Sequence, residues 1–126
     1  MTPGTLDVLW VWDEGLRGAP KFKMAVCVEP DAGLFLRINT RDLVRPCVPI
    51  LRRDHPFLDH DSHVECDLAE YDDYAIEEGR DRGGIVGRLA LRCVPEIREA
   101  LMAAATISDR DKRLVAAALD LAMRRP

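Results

Sequence analysis

The sequence predicts a small α+β domain, several short strands followed by two helices, built on a curled antiparallel sheet or barrel. Three observations carry this. Strand-length runs of apolar, aromatic and β-branched residues with partial alternation fill the first half of the chain. No helical pattern interrupts the stretch from Leu6 to Asn39, so its runs join as hairpins rather than through crossover helices. Near Val94 the apolar residues change to helical spacing and keep it almost to the end. At 126 residues the chain suits a single domain, 1–126, with a barrel-like part over about 4–93, an acidic loop region over 54–84 and a helical C-terminal part over about 94–124.

Taken in order, Leu6 to Trp12 is the first strand, ended by Asp13-Glu14-Gly15. After a Gly- and Pro-containing loop over 15–20, Lys21 to Val28 places Phe22, Met24 and Val26 on one face and Lys21, Lys23, Ala25 and Cys27 on the other. Glu29-Pro30-Asp31-Ala32-Gly33 has turn chemistry, with Pro to start it and Gly to take a positive φ. Leu34 to Asn39 then resumes the strand pattern, so 21–39 reads as a hairpin. Val48 to Leu51, flanked by Pro, reads as an edge or entry strand. Residues 54–63 are expected to form a polar loop in which Asp59, Asp61 and Ser62 fix a turn and Phe57 or Leu58 anchors in the core. Val64 to Tyr74 holds a short strand among acids, 77–84 is turn-rich, and Ile85-Val86 and Leu89 to Cys93 form a short strand or the approach to the helices. Pro95 suits a first helical turn, with Val94, Ile97, Leu101 and Ala104 on one face. Ser108 and Asp111 resemble a capping box that opens a second amphipathic helix through Leu114, Val115, Leu119 and Ala122.

A composition of 48% hydrophobic and 32% charged residues is that of a folded chain, not a disordered one. No apolar run reaches the ~20 residues that cross a bilayer. The N-terminus lacks a basic segment before its apolar run, so a membrane span and a signal peptide are not expected, and a cytoplasmic setting is. The four widely spaced cysteines, Cys27, Cys47, Cys66 and Cys93, then read as reduced thiols. The net charge of −4 is unevenly divided: Arg17 to Arg53 holds eight Lys/Arg against three Asp/Glu, and Asp54 to Arg82 holds eleven Asp/Glu against two Arg. The whole-protein field opposes broad polyanion binding, while the first stretch can still offer a basic face. The plain reading of the second stretch is a solvated acidic loop.

No serine-hydrolase elbow, phosphate-cradling glycine loop or dinucleotide fingerprint occurs, so no cofactor is expected. His55, His60 and His63 cluster, and His60, His63 and Cys66, with Cys47 as a fourth candidate, raise a metal site; the spacing matches no zinc signature, and the simpler reading is a polar turn. Cys66 with His60 or His63 is a paper candidate for a nucleophile pair, against the commoner inert buried thiol. The remaining constellation is a basic hairpin. Arg17, Lys21 and Lys23 lead into the second strand, and Arg37, Asn39, Thr40 and Arg41 end the third. Cations, an amide and a hydroxyl at neighbouring strand ends can hold a phosphodiester and stabilise charge developing on it. The alternative is a solvent-facing strand pair with no chemistry.

Leu6 to Trp12, then Lys21-Phe22-Lys23-Met24-Ala25-Val26, then a strand ending Arg37-Ile38-Asn39-Thr40, resembles the PemK/MazF toxin family of bacterial toxin–antitoxin pairs. The segment Phe57-Leu58-Asp59-His60-Asp61-Ser62-His63-Val64-Glu65-Cys66 is also similar to a D-S-Y-[LV]-x-C element of PemK-like relatives. The resemblance spans roughly residues 4–107. It implies an SH3-like barrel with C-terminal helices and a metal-independent endoribonuclease that cuts single-stranded RNA. It also implies a small antitoxin protein as partner and a homodimer. In the family a proline follows the basic residue of the second strand; here Pro20 precedes Lys21, and Lys21 or Lys23 fills the place of the family's arginine. The catalytic set implied is Lys21, Lys23 and Thr40, with Arg17, Arg37, Asn39 and Arg41 as substrate-binding residues. A degenerate relative acting as a non-enzymatic SH3-like interaction module is the alternative, and a metal-binding protein using the His55/His60/His63 loop is the third reading.

Overall fold

The computed structural model describes residues 2–15, 19–42 and 44–124. Its elements are β1 (Asp7–Asp13), β2 (Lys21–Glu29), β3 (Leu34–Asn39), β4 (Cys47–Ile50), β5 (Ser62–Glu70), α1 (Asp73–Arg80), β6 (Ile85–Arg88), α2 (Val94–Ala103) and α3 (Asp109–Arg124). The strands form one antiparallel sheet in the order β4-β5-β3-β2-β1-β6. The α+β class holds. The sheet is open, with the four-residue strands β4 and β6 as its edges, rather than closed as the expected barrel. Register shifts at Val8/Leu9, Cys27/Glu29 and Leu36/Ile38 mark three of the five pairings, and such bulges bend a sheet.

Alternation along the strands creates two faces. Val8, Val26, Leu36, Ile38 and Val64 pack with Ile97 and Leu101 of α2 and Val115 and Leu119 of α3, which makes the main core. Leu9, Val11, Ala25, Cys27 and Phe35 pack on the opposite face with Ala69, Tyr71 and Ala75. Both C-terminal helices begin as their sequences require. Pro95 lies in the first turn of α2, and the Ser108 hydroxyl accepts from the Asp111 N–H at 3.1 Å to cap α3.

The acidic region holds more structure than expected. The short strand among acids is the nine-residue β5, placed between β4 and β3, and the helix α1 follows it in place of loop and turns. Strand β5 tolerates its acids because Glu65 finds partners across the sheet, and the neighbouring Val64 and Cys66 supply the apolar side. Helix α1 forms where turn residues dominate because Asp72 caps it, accepting from the Ala75 N–H at 2.9 Å. Gly79 then lets it lie on β1, since a Cβ at that position would meet the Trp10 carbonyl. The polar loop behaves as expected around its anchor: Leu58 is buried, Asp61 accepts from the Arg52 N–H at 2.8 Å, and the Ser62 hydroxyl donates to the His60 carbonyl at 3.0 Å. Asp59 is exposed.

Candidate functional site

The ends of β1, β2 and β3 and the loop over 57–62 enclose a groove of about 340 Å³. Trp10, Phe22, Met24 and Phe57 give it apolar walls; Thr40, Asp59 and His60 give it polar ones. Thr40 stands just past the end of β3, two residues after Ile38, and its Oγ1 lies 3.0 Å from His60 Nε2. Both residues are exposed, so a proton-transfer group and a hydroxyl meet at an open site.

Lys21 and Lys23 also border this groove, but strand alternation turns them toward the face of Val11 and Ala25. Lys21 is exposed at the start of β2, pairing with Asp13. Lys23 is half-buried, and its amine is pushed below the ordinary lysine value by burial and by Lys21, against the opposing pull of Glu65 and Asp13. Three of the proposed residues thus reach one groove, but the structure splits their side chains between two faces of the strands.

Arg37 and Asn39 belong to a separate network on the second face. Asp13, only 1% exposed, accepts from Arg37 Nε at 2.7 Å, from the Gly15 N–H at 2.9 Å and from the Tyr71 hydroxyl. Glu65 accepts from Asn39 Nδ2 at 3.1 Å and lies 4.0 Å from Arg37 Nη1. Burial raises the Asp13 carboxyl, but the hydrogen bonds from Arg37, Tyr71 and Gly15 outweigh it and hold the group below the usual aspartate value. The hydrogen bond to Asp13 likewise raises Arg37 above its ordinary value. An arginine committed to two carboxylates offers little net charge to a phosphate, so this network reads first as a stitch across the sheet. Arg41 is exposed just beyond β3, and Arg17 lies outside the described residues.

The histidines go to three different places. His55 is fully buried; its Nδ1 lies 2.8 Å from the Leu51 carbonyl and its Nε2 accepts from the Ala90 N–H at 3.0 Å. His60 lines the groove, while His63 pairs on β5 beside Glu65, with a buried Nδ1 that has no partner. Adjacent strand positions face opposite ways, so Cys66 turns into the core while His63 turns away from it. Among the described residues, no group of three or more His, Cys, Asp or Glu is placed to hold a metal. Burial, first, and the neighbouring Cys47 push the Cys66 thiol up to about 12, which argues against a nucleophilic role.

Sequence reasoning weighed His60 as a metal ligand or a cysteine's base and passed over its pairing with Thr40, 20 residues away. It also passed over Trp10, Phe22 and Arg82. Aromatic residues on the helix-facing side of short strands carried the only available signal, and core burial explained them equally well. Comparison of the chain with known protein families and with curated proteins returns no match.

Proposed function

We propose that the groove binds single-stranded RNA and that the protein is a metal-independent endoribonuclease of the PemK/MazF type, on an SH3-like sheet left open at its edges. The Thr40–His60 contact carries this reading: a hydroxyl rests on an imidazole nitrogen at an exposed site flanked by Lys21. A substrate 2′-hydroxyl taking the position of the Thr40 hydroxyl would give its proton to His60 Nε2. Its oxygen then bonds to the adjacent phosphorus, the bond to the 5′-oxygen breaks, and that oxygen takes a proton from water at the open mouth. Lys21, exposed at the start of β2, swings from the opposite face over the groove's rim to offset the charge gathering on the phosphoryl oxygens, and the displaced Thr40 hydroxyl donates to one of them.

The test is cleavage of a panel of single-stranded RNAs in EDTA, reading for a 2′,3′-cyclic phosphate end. His60→Ala is expected to lose roughly 10²–10⁴ in rate. Thr40→Val and Lys21→Ala are each expected to lose roughly 10²–10³. Cleavage that EDTA abolishes, or that ignores all three substitutions, overturns the assignment. The resemblance adds a small antitoxin protein and a homodimer to this proposal, and light scattering of the purified chain tests the second. The interaction-module reading draws its support from the self-neutralised Arg37 network, and a wild type that cleaves no RNA selects it.

A further inference from the structure

Trp10, Trp12 and Phe22 belong to neither buried core, and each is only partly covered. Trp12 and Phe22 meet edge to face with centroids 5.0 Å apart, and the Arg82 guanidinium carbon lies 5.5 Å from the centroids of both Trp10 and Phe22. The turn after α1 holds Arg82 there. Gly83 and Gly84 take positive φ values of 136° and 63°, the Gly84 carbonyl accepts from the Trp10 N–H at 3.0 Å, and Gly83 approaches the Trp10 ring. Partly exposed rings on β1 and β2, topped by an exposed arginine, match what single-strand binders use: a π surface for a base and a cation for its phosphate.

We propose that Trp10, Phe22 and Arg82 form a base-stacking subsite for a nucleotide neighbouring the scissile bond, an inference that rests on the nuclease reading of the same groove. Phe22 on β2 lies one strand from Thr40, about 5 Å, and Trp10 on β1 lies two strands away, about 10 Å, at ordinary strand spacing. A strand whose phosphate sits at Thr40 and His60 therefore extends one base toward Trp10. Arg82 now covers the rings with a planar cation; a base slides against the same π faces while the guanidinium turns to a phosphate oxygen. Stacking accepts every base, so the subsite adds affinity with little sequence preference. Asp59 is the groove's opposing charge and, with the overall −4, makes binding modest and salt-sensitive.

A 2′-O-methyl single-stranded oligonucleotide, which cannot supply the attacking hydroxyl, separates binding from cleavage. Titrated against wild-type protein, it is expected to quench tryptophan fluorescence, and an abasic oligonucleotide of the same length is expected to bind much more weakly. Trp10→Leu and Phe22→Leu should each weaken binding roughly tenfold. The exposed Arg82→Ala, which leaves the fold untouched, should weaken it and reduce the slope of log affinity against log salt by about 1. Trp10→Phe, which keeps a ring, should retain most of the affinity. Equal binding of the abasic and natural strands, or variants that bind like wild type while RNA is still cleaved, overturns the subsite and leaves the nuclease reading standing. Ring-dependent binding with no cleavage of RNA overturns the nuclease reading and the subsite's place beside a scissile bond, and supports only the rings as a base-stacking platform.

Discussion

Asp13 at the end of β1 and Tyr71 just beyond β5, 58 residues apart, share a hydrogen bond in which the phenol donates to Oδ2. Arg37 Nε donates to the same oxygen at 2.7 Å from β3, so one buried carboxylate at the end of β1 ties together β3 and the residue that follows β5. Burial and the bond to Asp13 drive the Tyr71 phenol well above its ordinary value. The network therefore operates with a charged aspartate, a neutral phenol and a charged guanidinium.

Acid should weaken the fold through Asp13. Its carboxyl titrates below the usual 3.8, so its contribution is complete above that value and is lost as pH falls through the lower native value. Urea unfolding is expected to show wild-type stability falling below about pH 4, with a smaller fall in Asp13→Asn. At pH 7 that variant should be less stable by roughly 2–3 kcal/mol, the scale of hydrogen bonds to charged groups. An acid dependence unchanged by the substitution would remove Asp13 from the account.

His55 is structural. His55→Ala removes a fully buried ring and leaves the Leu51 carbonyl and the Ala90 N–H, both partly buried, without their partner, each costing about 1–3 kcal/mol. Thermal unfolding should shift down by about 10 °C or more. A shift within a degree or two would mean that water replaces the ring at no cost.

Gly79→Ala should destabilise by about 3 kcal/mol, because the new Cβ meets the Trp10 backbone and not a movable side chain. Gly4→Ala is the control. Its Cβ would lie 3.7 Å from Asp7 Oδ2, an ordinary contact, and should change stability by less than about 0.5 kcal/mol. The displaced Trp10 should also alter tryptophan emission in the first variant alone.

Thiol labelling should divide the four cysteines two and two. Cys27 and Cys66 are buried, and desolvation pushes both thiols up to about 12. In the native protein at pH 8, alkylation followed by mass spectrometry should find label on the half-exposed Cys47 and Cys93, the latter slowed because burial raises its thiol too. Label on all four should appear only in denaturant. Rapid native modification of Cys27 or Cys66 would contradict this packing.

Much of the fold was legible because its signals are local. Alternation over 21–28, the Pro30–Gly33 turn, Pro95 and the Ser108 cap each act within a few residues, and all four appear where the pattern puts them. The acidic stretch reads as a loop region with a short strand from Val64; that the strand runs nine residues inside the sheet rests on Asn39 and Arg37 meeting Glu65 from across it, and that a helix follows rests on the Asp72 cap. The candidate site was half legible: Thr40 and Lys21 border the groove, but the histidine that completes the contact belongs to a distant loop.

By itself the sequence determined the α+β class, the hairpin, the two C-terminal helices and the two faces of 21–28, because periodicity and caps are properties of neighbouring residues. Only the tertiary structure decided what those faces meet. Leu6 shows the difference most plainly. Its φ of 77° is a conformation that a bulky side chain ordinarily avoids. It is held there by bonds of its N–H to the Cys27 carbonyl at 2.7 Å and of its carbonyl to the Leu89 N–H at 2.9 Å, with the side chain fully buried. No local preference encodes that geometry, nor the meeting of Thr40 with His60 or of Asp13 with Tyr71. Each arises from contacts between residues far apart in the chain, whose energies exist only once the sheet has assembled.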